Sequence, residues 1–132
     1  MKLKTRLIFL SLAVLLFLAG CIQTLDQVEQ EKTATLTLKY FDKDGKTVLD
    51  KRIEVKKGTN AFEAMKENVE MDFEMYPYGV FVKSIAGVMP PETYFLTLFV
   101  NGKKASAGIS SYTVNEDTVI EWKTQQVREI AE

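Results

Sequence analysis

The sequence predicts an α+β domain, a β-grasp-like mixed sheet with one short packing helix. Three observations predict it. Residues 35–55 alternate like two strands about a turn, residues 61–70 carry an apolar stripe at helical spacing behind a capping residue, and the chain then returns to short strands as far as Trp122. A helix laid across one face of a mixed sheet after a hairpin is the β-grasp arrangement. No internal repeat or low-complexity stretch interrupts that order.

The first strand is Thr35–Tyr40, with Leu36, Leu38 and Tyr40 on one side and Thr35, Thr37 and Lys39 on the other. That is the period-two pattern of a half-buried strand. Asp42-Lys43-Asp44-Gly45 supplies turn chemistry, and Thr47–Val55 returns with Val48, Leu49, Ile53 and Val55 as its apolar residues. Gly58-Thr59-Asn60 then marks a helix start: Asn60 can cap the free amides, and Glu63 stands where a capping box needs it. Phe62, Met65 and Val69 fall at helical spacing, so the helix is expected over 61–70.

Met71–Tyr76 alternates again, and Pro77 and Gly79 bracket a turn around Tyr78. Val80–Ile85 reads as a strand, Gly87 and Pro90-Pro91 break it, and Thr93–Val100 is the most apolar strand after the leader. Asn101-Gly102 is a strong two-residue hairpin signal, because both central positions of a type I′ turn need positive φ. Lys103–Ala105 should pair backwards, and Val119, Ile120 and Trp122 belong to the last strand.

The first twenty-one residues have a different character. Lys2, Lys4 and Arg6 precede the apolar run Leu7–Leu18, which is broken only by Ser11. Twelve residues fall short of the roughly 20 that cross a bilayer but suit the hydrophobic region of a secretory signal. Leu18-Ala19-Gly20-Cys21 resembles the lipobox of prokaryotic lipoproteins, in which the cysteine thiol receives a diacylglyceryl group. The competing readings are a plain signal peptide beside an incidental cysteine, or an uncleaved anchor. Cys21 is the only cysteine, so no internal disulfide can use it. Two acyl chains hold a protein at a membrane where one does so only marginally. The expected organisation is therefore a lipoprotein signal peptide over 1–20, a lipidated Cys21 and polar tether over 21–32, a folded domain over 33–126 and a polar tail over 127–132. The tether, fully stretched, reaches at most about 40 Å.

Loss of the leader takes the basic residues from 17 to 14 against 18 acidic ones, a net charge of about −4. A weakly acidic domain of interspersed sign has no electrostatic footprint for nucleic acid. It gains no extra pull toward anionic lipid either, so the acyl chains must hold it.

Catalytic chemistry is sparse. The chain has no histidine, which removes the usual general base near neutral pH and the commonest metal ligand. With its one cysteine at the lipid position, it offers no thiolate centre or zinc cluster. Ser110-Ser111 has no triad partner, and Asp42 and Asp44 fit a turn better than a calcium loop because Lys43 and Lys46 stand among them. No enzyme, cofactor or metal site is expected.

From Val55 to Lys123 the chain resembles the C-terminal β-domain of transcobalamin and intrinsic factor, together with an uncharacterised prokaryotic lipoprotein branch of that family. The resemblance lies in Gly58-Thr59-Asn60-Ala61-Phe62-Glu63-Ala64-Met65, in Tyr78–Gly87, in Tyr94–Lys103, in Gly108-Ile109-Ser110-Ser111-Tyr112 and in Asp117–Trp122. It implies that the domain covers one face of a cobalamin or other corrinoid while a separate helical domain or partner protein supplies the other face. The matching contact positions are Tyr78, Gly79, Phe81 and Phe95. The family often carries tryptophan where Phe95 stands and glycine where Glu116 precedes Asp117.

The residues also admit plainer roles. Phe81, Phe95, Leu98 and Phe99 read first as core, and Tyr112 and Trp122 are expected to pack and hydrogen-bond inside the fold. Tyr76, Pro77 and Tyr78 make the best exposed candidate, because aromatic loop tips beside proline and glycine bind or pack. The candidate ligand site is thus Tyr76, Tyr78, Gly79, Phe81 and Phe95. The functional expectation is an extracytoplasmic, lipid-anchored binding module for a small molecule or a partner. The alternative is a cell-envelope protein–protein interaction or assembly domain without a small-molecule ligand.

Overall fold

Alternating apolar residues need a second layer to cover them, and the arrangement that provides it here is a sheet with one helix across its face. The computed structural model describes residues 30–130. The leader, Cys21 and most of the tether therefore lie outside the described residues. From Lys32 onward the described residues form one compact unit.

Strands β1 (Thr33–Phe41) and β2 (Thr47–Lys56) form the expected antiparallel hairpin. Its turn is built by Asp42, whose Oδ1 accepts from the amides of Asp44 and Lys46, each at 2.9 Å, while Gly45 takes φ +75°. Strands β6 (Tyr94–Val100), β7 (Lys103–Lys104) and β9 (Thr118–Gln126) complete a five-stranded sheet in the order β2-β1-β9-β6-β7. The central pair β1–β9 is parallel, and the others are antiparallel. Asn101 and Gly102 both adopt positive φ, as a type I′ turn demands. Asn101 also pins the central strand, since its Oδ1 accepts from the Val119 amide at 2.9 Å.

Strand β3 (Thr59–Asn60) leads into helix α1 (Ala61–Asn68) and pairs with β8 (Thr113–Val114). Asn60 caps α1: its Oδ1 accepts from the Phe62 amide at 3.0 Å and the Glu63 amide at 3.4 Å. The capping box itself is not built as expected, because the Glu63 carboxylate turns to Lys66 at 2.6 Å. The helix also ends two residues early. Val69 is already extended, which suits a β-branched residue two positions before a strand.

Ala61, Phe62, Ala64 and Met65 are the buried face of α1. They join a core with Leu36, Leu38 and Tyr40 of β1, Ile120 and Trp122 of β9, Leu98 of β6, and Ile109 and Val114. The Tyr40 hydroxyl lies 3.2 Å from Thr124 Oγ1. Trp122 departs from expectation: it is buried, but its indole N–H meets no acceptor among the described residues. Thr97 Oγ1 is likewise buried without a partner. An unpaired buried donor costs about 1–3 kcal/mol, so both are unusual in so small a core.

A separate two-stranded hairpin, β4 (Met71–Tyr76) and β5 (Gly79–Ile85), follows the helix. Phe73 anchors it, with its ring edge-on to Phe62 at 5.0 Å. Past β9, where the sequence reads only as a polar tail, Val127–Ile130 forms a 3-10 turn, and the Val127 amide donates to Thr93 O at 3.0 Å.

Candidate functional site

The register of the β4–β5 hairpin decides which side chains meet. Glu74 stands opposite Phe81 and Tyr76 opposite Gly79, so these four share one face of the ribbon. The other face carries Phe73 and Val82 toward the helix and core. What remains outside is an open cleft of about 370 Å³ lined by Glu74, Tyr76, Tyr78, Gly79, Val80, Phe81 and Gly108. Gly108 enters from the opposite side, just before the 3-10 turn Ile109–Ser111.

Two rings give the cleft its character. Tyr76 and Tyr78 are stacked with centroids 5.2 Å apart and planes 7° from parallel. Tyr78 is 86% exposed and Phe81 57% exposed. The reading of Phe81 as core is thus corrected: its strand alternates, but its side of the ribbon faces away from the helix. Gly79 has φ +148°, a conformation open to glycine, and a Cβ there would also come within 3.6 Å of Ser110 Oγ.

The polar edge is held by Glu74, whose carboxylate accepts from the Tyr76 hydroxyl and from Lys83 Nζ. Those bonds hold Glu74 below the usual carboxylate range, Lys83 first and Tyr76 next. The same bond to Glu74 raises the Tyr76 phenol and the Lys83 amine. Each shift carries the titration further from neutral pH. At neutral pH Glu74 and Lys83 therefore stay charged and Tyr76 stays an uncharged phenol, so the bonds orient the Tyr76 ring rather than pass protons.

Of the residues the sequence singled out, Tyr76, Tyr78, Gly79 and Phe81 come together in this cleft. Phe95 does not join them. It is half-buried and lines a neighbouring cleft of about 360 Å³ with Phe81, Met89, Pro90, Tyr94 and Leu96 among others, so Phe81 is common to both. Leu98 is core as expected, and Phe99 is half-buried under Lys123 Nζ, 4.4 Å from its centroid. Sequence reading passed over Glu74, Val80 and Gly108. The alternation of Met71–Tyr76 places Glu74 beside Tyr76, and that signal could have found it.

The second cleft is bordered by a strained turn. Thr93 has φ +70°, held by the Tyr94 amide donating to Pro91 O at 3.1 Å. A β-branched residue in that region costs on the order of 1–3 kcal/mol. A wider hollow of about 410 Å³ lies on the far side of the sheet, among Phe41, Asp42, Lys43, Glu121 and Lys123. Half of its lining residues are charged, two of each sign, and one is aromatic. Among the described residues no group of three acidic, histidine or cysteine side chains is placed to hold a metal ion.

The fold has known relatives. The chain is similar to haptocorrin solved in complex with Cbi, with a TM-score of 0.60 and 17% identity over 73% of this chain. That match covers 26% of haptocorrin, so the chain spans about a quarter of its length. It is also similar to a "putative metal binding protein" of Ruminococcus gnavus, with a TM-score of 0.58 and 14% identity over 70% of this chain and 97% of that one. At such identities the likeness is one of fold. No curated protein sequence matches the chain. Residues 58–126, more than half of the sequence, match the family described as Domain of unknown function (DUF4430), and the chain belongs to that family.

Proposed function

We propose that this protein is an extracytoplasmic lipoprotein, tethered through Cys21, whose domain holds a flat small molecule against the Tyr76–Tyr78–Phe81 cleft. A corrinoid is the leading ligand. The observation that carries the reading is the exposed stacked tyrosine pair beside an exposed Phe81, because large rings left in water next to a glycine turn are ready to stack on a ligand. The likeness in fold to haptocorrin, whose structure contains Cbi, supports the choice of ligand. Fixed charges around Glu74 support binding over catalysis. The strand order β2-β1-β9-β6-β7, with β1 and β9 parallel at its centre and α1 across one face, supports a β-grasp domain.

The cleft covers only part of such a ligand. A volume of about 370 Å³ sits at the small end of the ~300–1,000 Å³ typical of ligand pockets. A partner protein or second domain would cover the rest, and affinity of the domain alone is correspondingly low.

Titrating the protein with cobalamin and with cobinamide, followed by calorimetry, tests this. Saturable binding should weaken by roughly 1–2 kcal/mol, about five- to thirtyfold, in Tyr78→Ala. A flat titration for both ligands, or equal affinity in the variant, overturns the reading of this cleft as a corrinoid site.

A second reading is an envelope interaction domain that contacts protein through the same hairpin. Met75 is 71% exposed and Met89 62% exposed, which adds apolar surface beside the tyrosines. It is favoured if corrinoids fail to bind while Tyr78→Ala abolishes recovery of a defined envelope partner.

A further inference from the structure

Strand β2 ends the five-stranded sheet, and among the described residues no strand pairs with its outer edge. Its ladder with β1 is regular from Leu49 to Lys56, so alternate amides and carbonyls along that length point away from the domain. Such a row is a template for another strand. Proteins that keep an edge single blunt it with charge, most often lysine, and a row of one sign repels its own copies. The charges of β2 are arranged otherwise.

Its register sets Asp50 opposite Lys39, Arg52 opposite Thr37, Glu54 opposite Thr35 and Lys56 opposite Thr33. All four therefore lie on the sheet face away from α1, because Leu36, Leu38 and Tyr40 take the helix side. Along that face the sign alternates from one residue to the next. Asp50, Arg52 and Glu54 are exposed, and among the described residues they make no ion pair. On the helix side Leu49, Ile53 and Val55 are half-buried. Lys51 is turned back onto its own domain there, with Nζ donating to Asn68 O at 2.8 Å.

An antiparallel partner presents its charges in reverse order, so this alternating row complements itself. With Ile53 of one copy facing Ile53 of another, Arg52 faces Glu54 and Asp50 faces Lys56, each pair made twice by the two-fold symmetry. Only slips by an even number of residues keep the outward backbone groups aligned. A slip of one pleat sets Arg52 against Arg52 and Asp50 against Glu54. The opposite slip sets Glu54 against Glu54 and Arg52 against Lys56. Longer slips keep fewer opposite pairs.

We infer that β2 is a self-association edge, through which two copies of this chain pair antiparallel about Ile53 and join their sheets into one. A contact one strand wide buries little beside the roughly 1,200–2,000 Å² of stable interfaces, so the dimer is weak and forms where copies are crowded. No residue of β2 lines the tyrosine cleft, so failure of this pairing leaves the ligand reading untouched.

Single cysteines read the register in the full chain: Lys51→Cys, Arg52→Cys, Ile53→Cys, Glu54→Cys and Val55→Cys. Directly opposed residues lie about 4.5–5.5 Å apart at Cα, inside the range of about 4.4–6.8 Å that a disulfide spans. A residue one position from the centre is displaced from its own copy by two residues, roughly 7 Å along the strand, which is too far. Under mild oxidation, disulfide-linked dimers should peak sharply at Ile53→Cys. The parent, whose only cysteine is Cys21, gives the background. A peak at another position, an even yield across the five, or no yield above background overturns the inference.

Because Ile53 is half-buried, charge reversal supplies a second arm that changes only exposed side chains. In sedimentation equilibrium of the full chain in density-matched detergent, Arg52→Glu and Glu54→Arg should each weaken dimerisation about tenfold. The double variant should recover the parent's affinity, since it only exchanges the two signs. A parent with no dimer tighter than about 1 mM, single variants equal to the parent, or a double variant as weak as the singles would contradict the pairing.

Discussion

Replacing Asn60 with alanine should destabilise the protein by about 2 kcal/mol, because this one side chain joins helix α1 to the segment that carries Gly108 into the cleft. Its Oδ1 caps α1 through the Phe62 and Glu63 amides, and its Nδ2 donates to Ser110 O at 2.8 Å. Loss of a cap costs about 1 kcal/mol. Loss of a part-buried hydrogen bond costs about 1 kcal/mol more. For a domain of roughly 100 residues, each kcal/mol lowers the melting temperature by about 4–8 °C, so the expected fall is about 8–16 °C. Asn60→Asp keeps the acceptor for the helix amides but loses the donor to Ser110, and should fall about half as far. Thermal melts followed by circular dichroism give both values. Hydrogen exchange should also quicken at residues 108–112, the segment that carries Gly108 into the cleft. If Asn60→Ala melts within about 0.5 kcal/mol of the parent, or if the aspartate variant matches the alanine one, the tie between helix and cleft is wrong.

Other perturbations reach different parts of the account. Thr93→Asn should stabilise the protein by about 1 kcal/mol in urea denaturation, because asparagine tolerates the left-handed conformation that threonine resists; no change would mean that the turn is unstrained. Glu74 is held below its ordinary pKa, so its contribution is present above the unfolded value and is lost as pH falls through the lower folded value. The Tyr76 ring signal should therefore stay constant from pH 8 down through the ordinary carboxylate range near 4.3 and change only below it. In Glu74→Gln that acid transition should vanish. Mass spectrometry of the mature protein should find residue 21 as its first residue and carrying acyl chains; a bare thiol there, or an attached leader, would remove the proposed anchor.

Much of the fold was legible because the pattern of apolar residues is local. Leu36, Leu38 and Tyr40 point inward as their alternation says, Asn60 caps as its place before an apolar stripe says, and Asn101-Gly102 turns as its chemistry says. Long-range choices were not legible. The parallel pairing of Leu36 with Thr118 depends on surfaces brought together from opposite ends of the domain. Phe81 shows the same limit at the site. An aromatic residue in an alternating strand looks like core, and only the attachment of the β4–β5 ribbon through Phe73 sends it outward. The unpaired Trp122 donor could not be foreseen at all, since a sequence gives the donor and not the absence of its acceptor.

The central claim is that one face of the β4–β5 hairpin holds a ligand. Following the side-chain and amide resonances of the protein by NMR as cobinamide is added examines that face residue by residue. Tyr76, Tyr78, Gly79 and Phe81 should shift together along one saturation curve while the Asp42–Lys46 turn stays still. Shifts confined to that turn, or no shift in any of the four, would contradict the claim.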